Sequence, residues 1–501
     1  MSNAQVLDKD VRFHWYGGVS TNAFVVRAGL NLPSDSMYLY VDEDSLFSSP
    51  MIFGPVNVDT SSNLIAGFTA TGLSPNTTYF YAVAFKNELD LSPEDVGKAK
   101  TFPVGPHSFR FVLGSCSVDN GHRVYTVMDS LNPDFFLSLG DLHYYNPNSA
   151  NINVHRFPFE NLVLNKVQFM NLLHNRPFFY IWDDHDYCGN DSDSLAIGRS
   201  NARKVYQDYV PHFPLAKGSG DVPIYQSFVV GRIKFILTDV RSMRGANTML
   251  GTEQKTWLKN EITDAKNNDL IVAWITTGSY NGDPGYENWG KYPLERTELA
   301  DFFRDDTISN MFILSGDSHM LAIDNGSNSD FSTGHTNLFP YPMFQAAALN
   351  QFGSYKGGTF SEGYYPNPDA SYGQFGLVDV VDVDGDSVCI TFTGYRVNPF
   401  TSTVPIVSYS FCRYPGTTLS GLYSTPIQSE IRLIYPNPAT TVLYCDKINR
   451  KEPFTIYSAL GEKVKEGNFL PNEGVDISSL KGGAYFILFT ESQRSFTFLK
   501  Q

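Results

Sequence analysis

Residues 134–145 read DFFLSLGDLHYY. The run Phe135–Leu139 is almost wholly apolar and strand-length, which suits a strand buried on both faces. Gly140 ends the run, and Asp141 follows at once. A strand, a glycine and then an aspartate place a carboxylate at a strand end with room for a close ligand. Three other stretches repeat the design: FRFVLGSC at 109–116, FFYIWDDHD at 178–186 and MFILSGDSH at 311–319. In an open α/β sheet, the loops at the carboxyl ends of the strands converge on one crevice. Four such ends carrying Cys, Asp, His and Tyr predict a single metal site assembled from distant parts of the chain.

Outward from these segments, residues 105–400 alternate strand-like apolar runs with helical patterns at 155–175, 202–210 and 253–267, the signature of an α/β domain. Nine of the ten histidines fall between His107 and His335, so the chemistry is expected there. Residues 10–103 have another texture. Short alternating runs such as FVVRA, MYLYVD and YFYAVAF are separated by Gly, Pro, Asn and Ser turns, which reads as a β-sandwich. Leu73, Pro75, Thr77, Tyr79, Tyr81 and Val83 alternate from a turn into a strand and resemble the tyrosine corner of fibronectin type III domains. A Ser/Thr/Pro-rich stretch follows 401, and a third unit starts near 430. The expected fold is an α/β domain flanked by two all-β sandwiches. Its expected boundaries are 1–103, 104–415, a linker at 416–429, and 430–501.

The chain has 501 residues, a net charge of −15 and a hydrophobic share of 42%. That acidity argues against a broad nucleic-acid surface, because phosphate backbones attract Lys/Arg-rich faces. No stretch is long and apolar enough to span a membrane. The opening MSNAQVLDKD has no hydrophobic signal region, so the chain is expected to be either cytosolic or a mature form with its signal removed. The five cysteines do not form a disulfide framework. Cys389 and Cys412 either pair or serve as small buried hydrophobes.

Each ligand candidate has a structural alternative when taken alone. Asp141 can bridge two cations, or sit in a turn. Tyr144 can bind a ferric ion as phenolate, or be a buried hydroxyl. Cys116 favours iron or zinc over magnesium as a thiolate, or is a free buried cysteine. The charge density of Asp183, Asp184, His185 and Asp186 at one strand end is costly unless cations neutralise it. Asp317 and His319 alternate and can face the same pocket. VDVDGDSV at 381–388 lacks full calcium-loop spacing and reads as a hairpin turn. It is the co-occurrence of the four segments that argues for a site.

The ordered set GSC, GD-x-x-Y, W-D-D-H, L-T-D-x-R and S-G-D-x-H resembles the alkaline phosphatase D (PhoD-like) family, within the wider calcineurin-like metallophosphoesterases. The resemblance covers about 1–410. It implies a centre of ferric iron and calcium, with Cys116, Asp141, Tyr144 and Asp317 on the iron. Asp141 would also reach the second metal position, beside Asp184. His185 and His319 would lie near the phosphate or act as ligands. Arg241, in ILTDVRSMR, would hold phosphate oxygens, a task suited to a guanidinium fork. Apart from the resemblance, Arg244 either assists Arg241 or sits on the surface, and His143, inside GDLHYY, is a weaker site candidate. Tyr145 and Asp186 stand where many members have Glu. Asn190, Asp191 and Asp193 are therefore only candidates for calcium, with a solvated loop as the alternative. Residues 430–501, with YPNPAT, YSALGEKV and DISSLKGGAYFI in order, resemble the sorting domain of proteins exported through the type IX secretion system. Together these imply a secreted or surface phosphatase. It would hydrolyse phosphate mono- or diesters by attack of a metal-bound hydroxide. The alternative is an inactive surface protein that recognises phosphate or glycan groups on the same scaffold. A nuclease is disfavoured by the acidic balance.

Overall fold

A computed structural model describes residues 11–85, 96–164, 166–337, 341–400 and 403–415. Between 434 and 500 it describes all but 436–438, 446–450, 459–462, 472 and 490–493. The expected linker 416–429 and the Pro-Asn-Pro of the YPNPAT stretch lie outside these residues. The chain forms two compact units, Met1–Thr418 and Leu419–Gln501.

The α/β part of the first unit is built on two facing sheets. One runs in the order Phe178–Tyr180, Phe135–Ser138, Phe109–Gly114, Gly373–Val381, Val388–Val397, Thr403–Arg413. Its first three strands are parallel to one another. The other runs Gln226–Val230, Ile233–Leu237, Ile271–Ile275, Met311–Ser315, Met343–Ala346, Met320–Asp324, Tyr364–Pro366, with a parallel centre. The three carriers 109–114, 135–138 and 178–180 therefore open at one edge of the first sheet, and 233–237 and 311–315 open at one edge of the second.

Strand periodicity explains how the sheets pack. Successive side chains point to opposite faces. Along 233–237, Ile233, Phe235 and Leu237 enter the core between the sheets. Ile236 enters a separate core with Leu258, Ile262, Leu299 and Phe303, which belong to the helices Gly251–Asn267 and Pro293–Asp305. Lys234 points the same way as Ile236 and bonds Asp264 of the first helix at 2.6 Å. Trp274 and Ile313 follow Ile236, while Ala273, Ile275, Phe312 and Leu314 join the inter-sheet core. A strand buried on both faces is what the continuous apolar runs require. The expected helix at 155–175 is broken: an α-turn at Ile152–Pro158 passes into a π-helical Phe159–Val163, and a new helix runs Val167–Asn175. Pro158, with no N–H to donate, sits at the join.

Residues 11–100 form two antiparallel sheets, Val11–Gly17 with Ala23–Leu30 and Ile65–Thr71, and Met51–Val58 with Ser34–Asp42, Thr78–Phe85 and Gly97–Lys100. No gap in packing marks residue 103. Trp15 Nε1 donates to Tyr209 O at 2.7 Å, its ring stacks on Phe178, and Asn63 bonds Tyr209 Oη at 2.7 Å. The N-terminal sheets share the α/β core, so both lie in one unit. Cys389 and Cys412, opposite each other on neighbouring strands, form a disulfide. Residues 382–387 turn the hairpin between those strands, and Asp382 is held by Arg232 at 2.6 Å.

The second unit has a four-stranded sheet, Lys463–Phe469, Glu452–Ser458, Gly483–Phe489 and Arg494–Lys500, and a small three-stranded one. Leu443, Phe454, Ile456, Phe469, Ile487 and Phe489 form its core.

The Tyr79 hydroxyl accepts a hydrogen bond from Ser74 N at 2.9 Å, tying its strand to the preceding turn. Tyr79→Phe removes that bond while keeping the buried ring. It should cost about 1 kcal/mol, read as a lower urea midpoint at unchanged slope. An unchanged midpoint would show that the corner contributes nothing.

Candidate metal centre

Backbone crowding sets the site. Leu139 N bonds Gly114 O at 2.9 Å and Ser117 N bonds Asp141 O at 2.8 Å, so adjacent strand ends continue side by side past the sheet. A Cβ on Gly140 would stand 2.6 Å from Asp183 N, and one on Gly316 2.6 Å from Ser115 Oγ and 2.8 Å from Leu139 O. Only glycine fits where these three ends meet. The residues just after the close approach hold left-handed backbone: Cys116 at φ 63°, Asp141 at φ 52° and Asp317 at φ 61°. Such conformations cost energy in non-glycine residues and gather where side chains must be aimed.

All four segments meet. Cys116 Sγ lies 3.6 Å from Asp141 Oδ2. Tyr144 Oη lies 3.1 Å from Asp141 Oδ2 and 3.0 Å from His319 Nε2. Four sets of side chains each bring their ligand atoms within 4.8 Å of one another: Cys116, Asp141 and His319; Asp141, Asp184 and His185; Asp183, Asp184 and Asp317; Asp184, Asp191 and Glu287. Asp141 belongs to the first two sets and Asp184 to the last three. A shared carboxylate is what a two-cation site uses to hold its ions together.

Three carboxylate oxygens, Asp141 Oδ1, Asp183 Oδ2 and Asp317 Oδ2, are buried without a hydrogen-bond partner. Buried charges without partners are expensive, and cations at these points would satisfy them. Electrostatics agrees. Burial, then Asp184, Asp183 and further carboxylates, pushes Asp141 well up. Burial, then Asp141 and Asp317, pushes the Cys116 thiol up, and burial with Asp141 and Cys116 does the same to Tyr144. A cation would reverse this, releasing protons as it binds. Burial also works to raise Asp184, but Arg241 and His185 outweigh it and hold that carboxylate down.

The histidines are prepared as ligands. His319 Nδ1 is 2.6 Å from Phe352 O, and His185 Nδ1 is 2.5 Å from Asn146 Oδ1. A proton on Nδ1 would satisfy each oxygen and leave Nε2 as the acceptor, which in His319 faces Tyr144 Oη at 3.0 Å; this arrangement orients metal-binding imidazoles. Burial lowers the pKa of both. His143 stands apart from the four sets. Its N–H bonds Asp186 Oδ1 at 3.2 Å, and burial drives its ring pKa down to about 3. Asp186 is likewise committed: it also takes Asp183 N at 3.4 Å, closing a capping box on the short helix Asp184–Tyr187. Of the loop candidates, Asp191 joins Asp184 and Glu287. Asp193 caps Leu195 N at 2.8 Å. Asn190 and both aspartates line an open cleft with Asn146 and Asn148.

Arg241 is buried and held from two sides. Its Nε bonds Asp183 Oδ1 at 2.5 Å, its Nη1 bonds Glu287, and its Nη2 is 3.9 Å from Asp184. Asp239 of the same TDVR stretch fixes the turn, accepting from Arg241 N at 3.1 Å, Ser242 N at 3.0 Å and Trp182 Nε1 at 2.9 Å. Arg244 bonds Tyr292 Oη and shares Glu287. All four residues of the implied iron set lie at this crevice, and Cys116 Sγ is 3.6 Å from Asp317 O. Cys116, Asp141 and Tyr144 stand together with His319, whereas the Asp317 carboxylate groups with Asp183 and Asp184 and bonds Lys356 at 2.5 Å. Sequence reasoning gave Asp183 no role of its own and passed over Glu287 and Lys356. Asp183 sat in view within WDDHD. Glu287 and Lys356 come from loops with no local signal.

Comparison with known proteins agrees with this geometry. Residues 111–340 match the PhoD-like phosphatase family, and residues 433–500 match the secretion system C-terminal sorting domain. Residues 111–340 are thus similar to PhoD-like phosphatase domains, and residues 433–500 to export-sorting domains. Alkaline phosphatase D of Bacillus subtilis (strain 168) is 27% identical over 308 residues, 50% of this chain and 52% of that protein. Tartrate-resistant acid phosphatase type 5 of Oryctolagus cuniculus is 27% identical over 161 residues, 31% of this chain and 47% of that protein. The chain thus spans about half the length of the curated relatives it matches. A solved structure of PhoD superimposes with TM-score 0.64 at 17% identity, covering 82% of this chain and 92% of that one, which shows a shared fold. The sorting domain supports export, to the cell surface or beyond. No helix among the described residues is long and apolar enough to cross a membrane.

Without cations the site should weaken the protein as pH rises. Burial pushes the Asp186 pKa up to about 7 and Asp141 well up. A carboxyl raised in the folded state contributes stability that is full below its unfolded value, near 3.9, and is lost as pH climbs through the folded value. The buried histidines act with opposite sign, up to about one unit above their unfolded value near 6.5. Chelator-treated protein should therefore melt lower at about pH 9.5 than at about pH 7.5, where Asp141 and the Cys116 thiol carry the loss, and added cations should narrow the gap. A melting temperature flat or rising over that interval would contradict the assignment.

Proposed function

We propose that this chain is an exported, metal-dependent phosphoesterase of the alkaline phosphatase D type, acting on phosphate mono- or diesters. The observation that carries the reading is Asp141. One buried carboxylate belongs to a thiolate–imidazole set on one side and a carboxylate–imidazole set on the other, with an oxygen still unpartnered. The soft donor Cys116 and the phenol Tyr144 suit a ferric ion beside Asp141, with Asp317 or His319 completing that side. The oxygen-rich side, with Asp184, Asp191 and Glu287, suits calcium. Bound cations would offset phosphoryl charge and acidify a water.

The remaining work falls to the protein. Arg241 Nη2, the nitrogen not bonded to Asp183 or Glu287, is the fork end available to a phosphoryl oxygen. Asp183 keeps that fork in place, so its charge is already oriented when charge builds on the phosphoryl group. On this reading His185, which is only partly buried, either holds a cation with Asp141 and Asp184 or stands beside the phosphate. Completeness of the donor set argues for turnover over an inert binding role. The machinery of export is, on this reading, the type IX system, and the substrate is met outside the cytoplasm.

Two measurements test this. Asp141→Asn should abolish hydrolysis of 4-nitrophenyl phosphate and of its bis-ester with an unchanged circular dichroism spectrum; retained activity would sink the assignment. Purified holoprotein should contain iron and show a visible charge-transfer band that Cys116→Ser shifts or removes. A colourless, iron-free active enzyme would overturn the ferric part.

A further inference from the structure

Residues 350–362 are fastened to the crevice at several points. Phe352 O takes the Nδ1 proton of His319, Ser354 Oγ accepts from His319 N at 3.3 Å, and Asn288 Nδ2 donates to Lys356 O at 3.0 Å. Tyr355 stacks on Tyr364 with ring centroids 4.3 Å apart. Two glycines make the path possible. Gly357 and Gly358 hold φ of 78° and 103°, and a Cβ on either would stand 2.5 Å from Asp283 Cβ or 2.7 Å from Asn281 O. The stretch SYKGG thus threads a tight turn against residues 281–283 and presents Lys356 to the carboxylates.

Lys356 Nζ lies 2.5 Å from Asp317 Oδ1, with its side chain 26% exposed. The other cations of the crevice differ in kind. Arg241 and Arg244 are almost fully buried and locked by Asp183, Glu287 and Tyr292. A locked guanidinium supplies fixed charge. An ammonium on a four-carbon stem has three rotatable donors, and one bond to Asp317 leaves two to give.

We propose that Lys356 is a phosphate-binding residue of this site: its ammonium rests on Asp317 when no anion is present and turns to a phosphoryl oxygen when substrate enters. Asp317, whose Oδ2 already lacks a partner, is then free to serve a cation with both oxygens. The inference rests on the phosphoesterase reading and adds to it a charge that no strand-end motif carries. It also separates two roles that an ion pair confounds, since a mere counterion for Asp317 would govern metal retention and not anion affinity.

The test compares wild type with Lys356→Met, which keeps the stem's packing, and Lys356→Gln, which keeps a donor without the charge. Metal content is measured on each protein, inorganic phosphate binding by calorimetry on the metal-loaded protein, and KM and kcat on both nitrophenyl esters. Loss of a charge-assisted hydrogen bond should weaken phosphate binding and raise KM by about ten- to a hundredfold in Lys356→Met, with bound metal unchanged and Lys356→Gln intermediate. Unchanged phosphate affinity would overturn the proposal. So would loss of metal with unchanged affinity in the fraction that stays loaded. If Lys356→Met does not fold, Lys356→Gln is read by the same criteria. If the wild type hydrolyses neither ester, the phosphoesterase reading falls, and phosphate affinity alone decides the role of Lys356.

Discussion

Five aspartates, Asp141, Asp183, Asp184, Asp186 and Asp317, are buried at the carboxyl edges of two facing sheets, and that crowding is the constraint on which the rest of the site depends. Buried carboxylates repel one another and lose their hydration, so the protein must supply opposite charge or keep them protonated. It uses both means. Asp186 is wrapped in backbone N–H groups from Asp183 and His143. Asp183 and Asp184 lean on Arg241, and Asp317 leans on Lys356. Asp141, the one shared by thiol, phenol and imidazole neighbours, has no fixed cation bonded to it and keeps an unpartnered oxygen. The chain leaves its shortage of positive charge where a metal would be most useful.

The scaffold makes this crowding affordable. Strands buried on both faces give rigid starting points for the loops, and Gly140 and Gly316 let three strand ends come within direct contact. Cys116, Asp141 and Asp317 then take left-handed backbone, which aims side chains that ordinary extended backbone would send elsewhere. The outer ring is equally specific. Asn146 and Phe352 O fix the histidine tautomers, and Asp239 fixes the turn that carries Arg241.

Much of this was legible in the chain itself, for physical reasons. A metal ligand directly after a strand is a local pattern, so Cys116, Asp141, Tyr144, Asp184, His185, Asp317 and His319 could be read from four short stretches, and the structure brings them together. The paired strands of 11–100 and the tyrosine contact to Ser74 follow from alternation and turn residues, which are local too. Glu287 and Lys356 could not be found that way. Their loops carry no periodicity, and their importance comes from which strand ends they cover, a matter of tertiary path. The π-helical break after Pro158 was hidden for a related reason: hydrophobic spacing continues through it, and only packing against neighbours decides where the helix re-forms. The shared core between residues 11–100 and the catalytic sheets was likewise invisible, because a change of texture at residue 103 says nothing of what Trp15 will touch.

An export-sorting domain and the Cys389–Cys412 disulfide both suit a setting outside the reducing cytoplasm. The central claim is that cations gathered by Asp141 and its neighbours make this protein a phosphoesterase. The most direct measurement is 4-nitrophenyl phosphate hydrolysis by one preparation as isolated, after exhaustive chelation, and after iron and calcium are returned. The account predicts activity that disappears on chelation and comes back on reconstitution. Hydrolysis that persists in demonstrably metal-free protein would contradict it.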